Sequence, residues 1–288
     1  LLLRRLRRRP TITTIHGVLP LEAWSDALVQ AYAGRAPKSI IRWIYGRLIE
    51  KMASLSADVI MHGASLERSL RQYGVRGRVS VIPQGIEGQL APLSRSEARR
   101  ILGFDDRPRV LFFGYLLPYK GLDTLRAAAP ALTQAGVEVV VAGSDTGDDR
   151  PTHRVLAQDW GPIRRMGYVA EELIPALLSA ADVMVLPHRI GLSTSGPFSL
   201  AVAYGLPVVV SDVPTLADDL SFPDATFVAG SHESLTTTIL RVLNNASVRA
   251  RLEDRLAEIR AARGWSSVAA ATMSRYRDVI SSEEVRLR

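Results

Sequence analysis

The sequence predicts an α/β fold with two parallel β-sheets, the first of them apparently incomplete. Three observations carry this expectation. Short β-branched runs without polar alternation recur along the chain, as parallel strands covered on both faces require. Helical stretches separate these runs, which is the alternation of a parallel sheet. Over residues 86–94 the pattern lapses into Gly, Pro and Ser, read as a linker between a first series of three strands and a second of six. At 288 residues, 47% hydrophobic and 23% charged, the chain can bury two cores and is not disordered.

In order, the chain opens on a basic stretch with five arginines in ten residues, read as the tail of a helix. Its apolar part is too short for a signal peptide. Residues 11–15 form a strand that stops at His16-Gly17. Residues 39–54 read as a helix with Ile40, Ile41, Trp43, Ile44, Leu48 and Ile49 near helical spacing. Residues 57–61 form a strand ending at His62-Gly63, 65–73 a helix, and 79–82 a strand followed by Pro83-Gln84-Gly85. In the second series, 96–102 is a helix with an early glutamate. The strands 109–113 and 137–142 are joined by a helix over 122–133. A short strand lies within 163–169, then a helix over 170–180 and a strand over 182–186. The stretch 194–212 (TSGPFSLAVAYGLPVVVSD) is central. It reads as a small-residue loop, a helix with Pro197 in its first turn, Gly205 just past its end, and a strand over 207–211. A last strand over 226–228, a two-piece helix over 233–259 and a terminal helix over 265–280 complete the chain.

The totals exclude several classes. Without cysteine there is neither a disulfide framework nor a thiolate metal site, which fits a reducing compartment. No run of about 18 apolar residues suggests a membrane span. The net charge of +7 is uneven: residues 1–80 hold fourteen Lys and Arg against five Asp and Glu, the remainder 22 against 24. The basic quarter suggests an anionic partner, namely a membrane surface, a nucleic acid or an anionic substrate. Nucleic acid is not expected, because no aromatic residues interleave the arginines.

Two stretches suggest chemistry. The loop Thr194-Ser195-Gly196-Pro197 feeds a helix N-terminus, where free N–H groups converge as an anion site. Lys120-Gly121 follows the strand ending at Gly114. In open parallel sheets ligands sit outside the carboxyl ends of the strands, so Lys120 stands where a bound anion would lie. Neither G-x-x-x-x-G-K-[ST] nor G-x-G-x-x-G is present, which weighs against a P-loop ATPase and a dinucleotide dehydrogenase. His153, His188 and His232 show no ligand spacing, so no metal or other cofactor is expected.

The ordered set VLFFGYLLPYKG, Gly167-Tyr168-Val169 with its acidic follow-on Glu171-Glu172, AADVMVLP and AYGLPVVVSD resembles the nucleotide-sugar-binding half of the GT-B glycosyltransferases of the retaining family 4. TIHG, ADVIMHGAS and VSVIPQGI resemble strand ends of the acceptor-side domain. The resemblance implies two Rossmann-like domains: residues 1–85, a partial acceptor-side domain; 86–264, the nucleotide-sugar domain; and 265–288, a C-terminal helix packing back towards the first. It implies transfer of a sugar, with retention, from a nucleoside diphosphate sugar to a lipid-linked or saccharide acceptor, as in polysaccharide synthesis. The place of action would be the cytoplasm, at the inner membrane face.

By the same resemblance, Lys120 neutralises the departing diphosphate, helped by the amides of Ser195, Gly196, Pro197 and Phe198, while Gly114 and Tyr115 line the donor loop. The backbone of Gly167, Tyr168 and Val169 holds the base, and His16 faces the reacting sugar. His62 is read as structural. Two family features are missing: Leu192 and Leu200 stand where two glutamates are common, and Tyr115, Leu116 and Leu117 stand where the lysine has an arginine partner. A catalytically inactive nucleotide-sugar- or partner-binding protein is the alternative. A GT-B acceptor-side domain has further strands before the TIHG-like element. The chain therefore reads as a fragment, or a naturally shortened relative, of a longer glycosyltransferase.

Overall fold

A computed structural model describes residues 10–25, 37–88, 90, 92–144 and 159–286. The arginine-rich opening at 1–9 and His153 lie outside the described residues. The chain forms two compact units: Leu1–Gly85 with Gly191–Thr194 and Arg263–Arg288, and Ile86–Ile190 with Ser195–Ala262.

The N-terminal unit holds a parallel sheet of three strands, β1 (Ile12–Ile15), β2 (Asp58–Met61) and β3 (Val79–Val81), in the order β1-β2-β3. Helix α1 (Lys38–Ser54) connects β1 to β2, and α2 (Ala64–Arg71) connects β2 to β3. The core is small: Ile15, Val18, Ile49, Ala53, Val59, Met61, Leu66, Leu70 and Val75. Of the six large apolar residues expected at helical spacing on α1, only Ile49 is buried; Ile40, Trp43, Ile44 and Leu48 are exposed. Helical spacing identifies a stripe but does not say whether anything covers it. Residues 191–194 join this unit through an isolated bridge between Gly17 and Ser193 and a bond from the Val18 amide to the Leu192 carbonyl (3.0 Å). The terminal helix, Trp265–Arg286, also belongs here. Its Arg275 pairs with Asp58, a fully buried carboxylate that also accepts from the Ser80 hydroxyl at 2.8 Å.

The C-terminal unit begins with helix α3 (Arg95–Leu102). Its sheet comprises β4 (Arg109–Phe113), β5 (Glu138–Ala142), β6 (Arg164–Gly167), β7 (Val183–Leu186), β8 (Val208–Ser211) and β9 (Thr226–Phe227). All neighbours are parallel, in the order β6-β5-β4-β7-β8-β9. Helix α4 (Leu122–Gln134) follows β4, α5 (Ile174–Ala180) follows β6 and α6 (Gly196–Tyr204) follows β7. Then come α7 (Pro214–Leu220), α8 (His232–Asn244) and α9 (Ala246–Ala262). The strand order reverses between β4 and β7, the topological switch point at which doubly wound sheets place their ligands. β5, β7 and β8 are buried along their whole length, as their unalternating apolar sequences require.

The described residues of the 86–94 stretch are packed rather than loose. Ile86 belongs to the C-terminal core, with Leu90 and Leu93 packed against it, and the amides of Leu90 and Leu93 bond to the Ala203 carbonyl and the Ser179 hydroxyl. Composition at Gly88 and Pro92 suggested a break, but the three apolar side chains between and beside them decide the packing. The aspartate of AADVMVLP serves this scaffold. Asp182 accepts from the Arg109 amide (2.7 Å) and from Arg99 (2.8 Å), pinning α3 and β4 at the sheet's amino end.

Candidate functional site

The switch point of the C-terminal unit gathers its site from three connections. After β4 the chain turns at Gly114, whose φ of 125° disfavours any other residue. A Cβ there would stand 3.2 Å from the Lys120 Nζ and 3.3 Å from Pro197 Cγ, so lysine, loop and helix start meet over one glycine. A 3-10 turn, Pro118–Lys120, brings the lysine back over the strand end. Gly121 then passes the carbonyl of Pro187 so closely that a Cβ would lie 1.7 Å from it, at a φ of 70°. These two glycines let the backbones after β4 and β7 lie side by side.

Lys120 is only 8% exposed, and burial lowers its pKa from the ordinary lysine value. Among the described residues no carboxylate is bonded to its ammonium. A buried cation without a partner costs folding free energy, so its presence points to an anion that completes it. Beside it lies His188, 6% exposed, at the end of β7. Desolvation, with the Lys120 charge second, pushes its pKa down to about 3. His188 is therefore a neutral imidazole at physiological pH. Its Nε2 is buried and, among the described residues, has no hydrogen-bond partner, while its carbonyl accepts from Ser211 Oγ at 2.7 Å. Sequence spacing gave His188 no role, because spacing tests for ligand sets whereas its distinction is burial beside a lysine.

The third connection is the start of α6. Ser195 caps it, its Oγ accepting from the Phe198 amide at 3.4 Å. This corrects the expected set of anion donors. Pro197 has no N–H, the Phe198 amide is taken by the cap, and the Ser199 amide bonds the Ser195 carbonyl, so of the expected donors the amides of Ser195 and Gly196 remain. The Phe198 side chain is buried in the core, where it anchors the helix by about 2 kcal/mol.

The remaining predicted residues divide. Tyr115 is exposed directly after Gly114. Gly167 ends β6, and its carbonyl accepts from the Gly143 amide (2.7 Å). A Cβ on Gly143 would lie 1.9 Å from the Gly114 carbonyl, so the ends of β4, β5 and β6 form one continuous rim. Tyr168 presents its ring to solvent at 76% exposure, whereas the Val169 side chain belongs to the core and only its backbone remains for a ligand. Leu200 packs against the core, so that place on α6 offers no polar group. Arg189, next to His188, is bound to Asp123. His16 lies in the N-terminal unit, exposed at the end of β1, its Nδ1 3.0 Å from His62 Nε2.

Comparison with known proteins gives two family matches. Sequence models of the glycosyl transferases group 1 and of glycosyltransferase family 4 match residues 107–245 and 1–89 respectively. A GDP-mannose-dependent alpha-(1-6)-phosphatidylinositol monomannoside mannosyltransferase of Mycobacterium tuberculosis is 30% identical over 171 residues, 54% of this chain and 44% of the relative. A phosphatidyl-myo-inositol mannosyltransferase of Mycolicibacterium smegmatis is 28% identical over 204 residues, 69% of this chain and 51% of the relative. The chain thus spans about half the length of these curated relatives. Among solved structures, Anabaena HepE in complex with UDP superposes with a TM-score of 0.75 at 20% identity, covering 95% of this chain and 73% of that one. At that identity the likeness is one of fold, and it is the GT-B fold with its two parallel sheets.

Proposed function

For a chain that belongs to the group 1, family 4-like glycosyltransferases, we propose that the switch point of the C-terminal unit binds the diphosphate of a nucleoside diphosphate sugar. The whole enzyme transfers the sugar, with retention, to a lipid-linked or saccharide acceptor. The observation that carries this reading is Lys120, a buried ammonium with no carboxylate bonded to it among the described residues, over Gly114 and beside the N-terminus of α6. In the reaction, negative charge develops on the departing diphosphate. Fixed positive charge in a dry site stabilises that charge more than it does the ground state. The Gly196 amide and the helix dipole add to the lysine. His188, kept neutral, adds no second cation; its Nε2 remains to complete a hydrogen bond with the donor. Tyr168 offers its exposed ring to the base, and His16 faces the reacting sugar. The activities named for the relatives support GDP-mannose as donor and a phosphatidylinositol glycolipid as acceptor, and the solved neighbour supports UDP.

A screen of GDP, UDP, ADP, GDP-mannose and UDP-glucose by thermal shift tests donor binding. Ligand at 100 times its dissociation constant adds about 2.7 kcal/mol of stability. No shift with any of them removes the donor site.

Two further points belong to the reading. Helix α1 exposes Ile40, Trp43, Ile44, Leu48 and Met52 near helical spacing, with Arg47 and Lys51 exposed among them. Basic side chains beside an apolar stripe with a tryptophan suit the interface of an anionic bilayer, which is where a lipid-linked acceptor would be met. Among the described residues no helix is long and apolar enough to cross a membrane. The second reading, a donor-binding protein without transfer, is favoured by Leu200, which packs into the core where relatives are expected to carry a carboxylate. Donor binding without released nucleotide or product would select it.

A further inference from the structure

We propose that His62 is a positioning residue that fixes His16 in the tautomer whose Nε2 lone pair accepts a hydrogen bond from a sugar hydroxyl. This rests on the reading of His16 as facing the reacting sugar.

The argument starts from register. β1 pairs with β2 with Ile15 opposite Met61, and β2 pairs with β3 with Met61 opposite Val81. The next residues are His16, His62 and Ile82, so three parallel strand ends place two imidazoles and one carbonyl in a row. The Ile82 amide bonds the Met61 carbonyl at 2.8 Å, which holds that row in place.

Proton bookkeeping follows from the atoms. His62 Nδ1 lies 3.0 Å from the Ile82 carbonyl oxygen. A carbonyl has no proton to give, so Nδ1 of His62 carries one. The neutral ring then has a bare Nε2. That nitrogen is 3.0 Å from His16 Nδ1, with the ring centroids 4.8 Å apart and the planes tilted by 43°. The contact is a hydrogen bond only when His16 Nδ1 donates. Neutral His16 is thereby left with its lone pair on Nε2. Free imidazole side chains in water favour the opposite tautomer, with the proton on Nε2. Without His62, a sugar hydroxyl at Nε2 would meet a donor; with it, the hydroxyl meets an acceptor and is oriented to donate. A buried structural histidine would need no such polarity, but His16 is exposed and ends its strand.

The test uses 15N-histidine-labelled protein and the one-bond and long-range 15N shifts of His16 at about pH 8, above the ordinary histidine pKa. His16 is expected to carry its proton on Nδ1 in the wild type and mostly on Nε2 in His62→Phe. His62→Gln places an acceptor near the former Nε2 and is expected to keep the wild-type tautomer. Turnover is read as nucleotide released from GDP-mannose and from UDP-glucose. In His62→Phe kcat is expected to fall by about tenfold with the donor KM little changed, and His62→Gln to recover most of it. A proton on His16 Nε2 in the wild type, or the same tautomer in His62→Phe, overturns the proposal. So does unchanged kcat in His62→Phe when His16→Ala is impaired. If His16→Ala turns over normally although the tautomers are as expected, His16 has no part in the reaction. The reading of His16 then fails, and the positioning role fails with it.

Discussion

The two units share one strand–helix grammar and bury it unequally. In the C-terminal unit six parallel strands form one sheet, with β5, β7 and β8 buried throughout and β6 exposed at its edge. In the N-terminal unit three strands share a core of nine buried apolar residues, and α1 turns most of its apolar stripe outward. The larger core tolerates what a small one could not. It holds a lysine with no carboxylate partner among the described residues and an imidazole with its pKa pushed down to about 3, both at the switch point and both costly without a ligand. The smaller unit invests in pairing instead. Its buried Asp58 is matched to Arg275, and a cluster of Trp24, Tyr45 and Tyr73 is closed by bonds from Trp24 Nε1 to Tyr73 Oη (2.7 Å) and from Tyr73 Oη to the Leu19 carbonyl (2.6 Å). The contrast is one of charge: in the N-terminal unit the buried Asp58 has a cationic partner, whereas in the C-terminal unit Lys120 has no carboxylate partner among the described residues.

The largest expected effect is acid sensitivity in the C-terminal unit. His188 binds its proton at about 3 when folded and near 6.5 when unfolded. The unfolded state binds more protons between those values, so stability is full above pH 6.5 and falls as pH drops towards 3. The full span is worth about 5 kcal/mol, and between pH 7 and 4.5 the loss is about 2.5 kcal/mol. Denaturant unfolding of the wild type against His188→Leu checks it: the variant should lack that part of the slope. Parallel curves would show that His188 is solvated.

Next in size is the N-terminal ion pair. Arg275→Met strands a fully buried carboxylate on β2 and should cost about 3–5 kcal/mol. Hydrogen exchange should quicken across β1–β3 while the amides of β5 and β8 keep their protection. Asp58→Asn in the same chain should restore part of the loss. Exchange that quickens equally in both sheets would show that the units do not unfold separately.

The smallest stability effect is predicted on α1. Trp43→Ser at a residue 66% exposed should change stability by less than about 0.5 kcal/mol. It should weaken binding to vesicles of phosphatidylglycerol and phosphatidylcholine, and that binding should itself fall steeply with salt. A large loss of stability would mean that the stripe is covered by protein.

How much of this was legible in the sequence differs by feature. The strand–helix order was plain, because unalternating β-branched runs and glycines past helix ends are local signals. The order of the six strands in the sheet was not legible, because local patterns do not say which strands become neighbours. The packing of Ile86, Leu90 and Leu93 was hidden because composition marks Gly and Pro as breaks without showing what the neighbouring side chains reach. The use of Ser195 as a cap was foreseeable from Ser-x-x-Phe, but the chain alone could not say whether the hydroxyl or a ligand takes the Phe198 amide. His188 and His62 needed three dimensions. One is set apart by burial next to a lysine 68 positions away in sequence, the other by a strand register that brings it to His16.

The central claim is that Lys120 is a folding cost kept for an anion. Thermal unfolding of the wild type and Lys120→Met, each with and without the stabilising nucleoside diphosphate, tests it directly. Burying a thioether in place of an ammonium should make the free variant as stable as the wild type or more so, by about 1 kcal/mol. The nucleotide should raise the melting temperature of the wild type and leave that of the variant almost unmoved. A free variant clearly less stable than the wild type, or equal stabilisation of both by the nucleotide, would contradict the account.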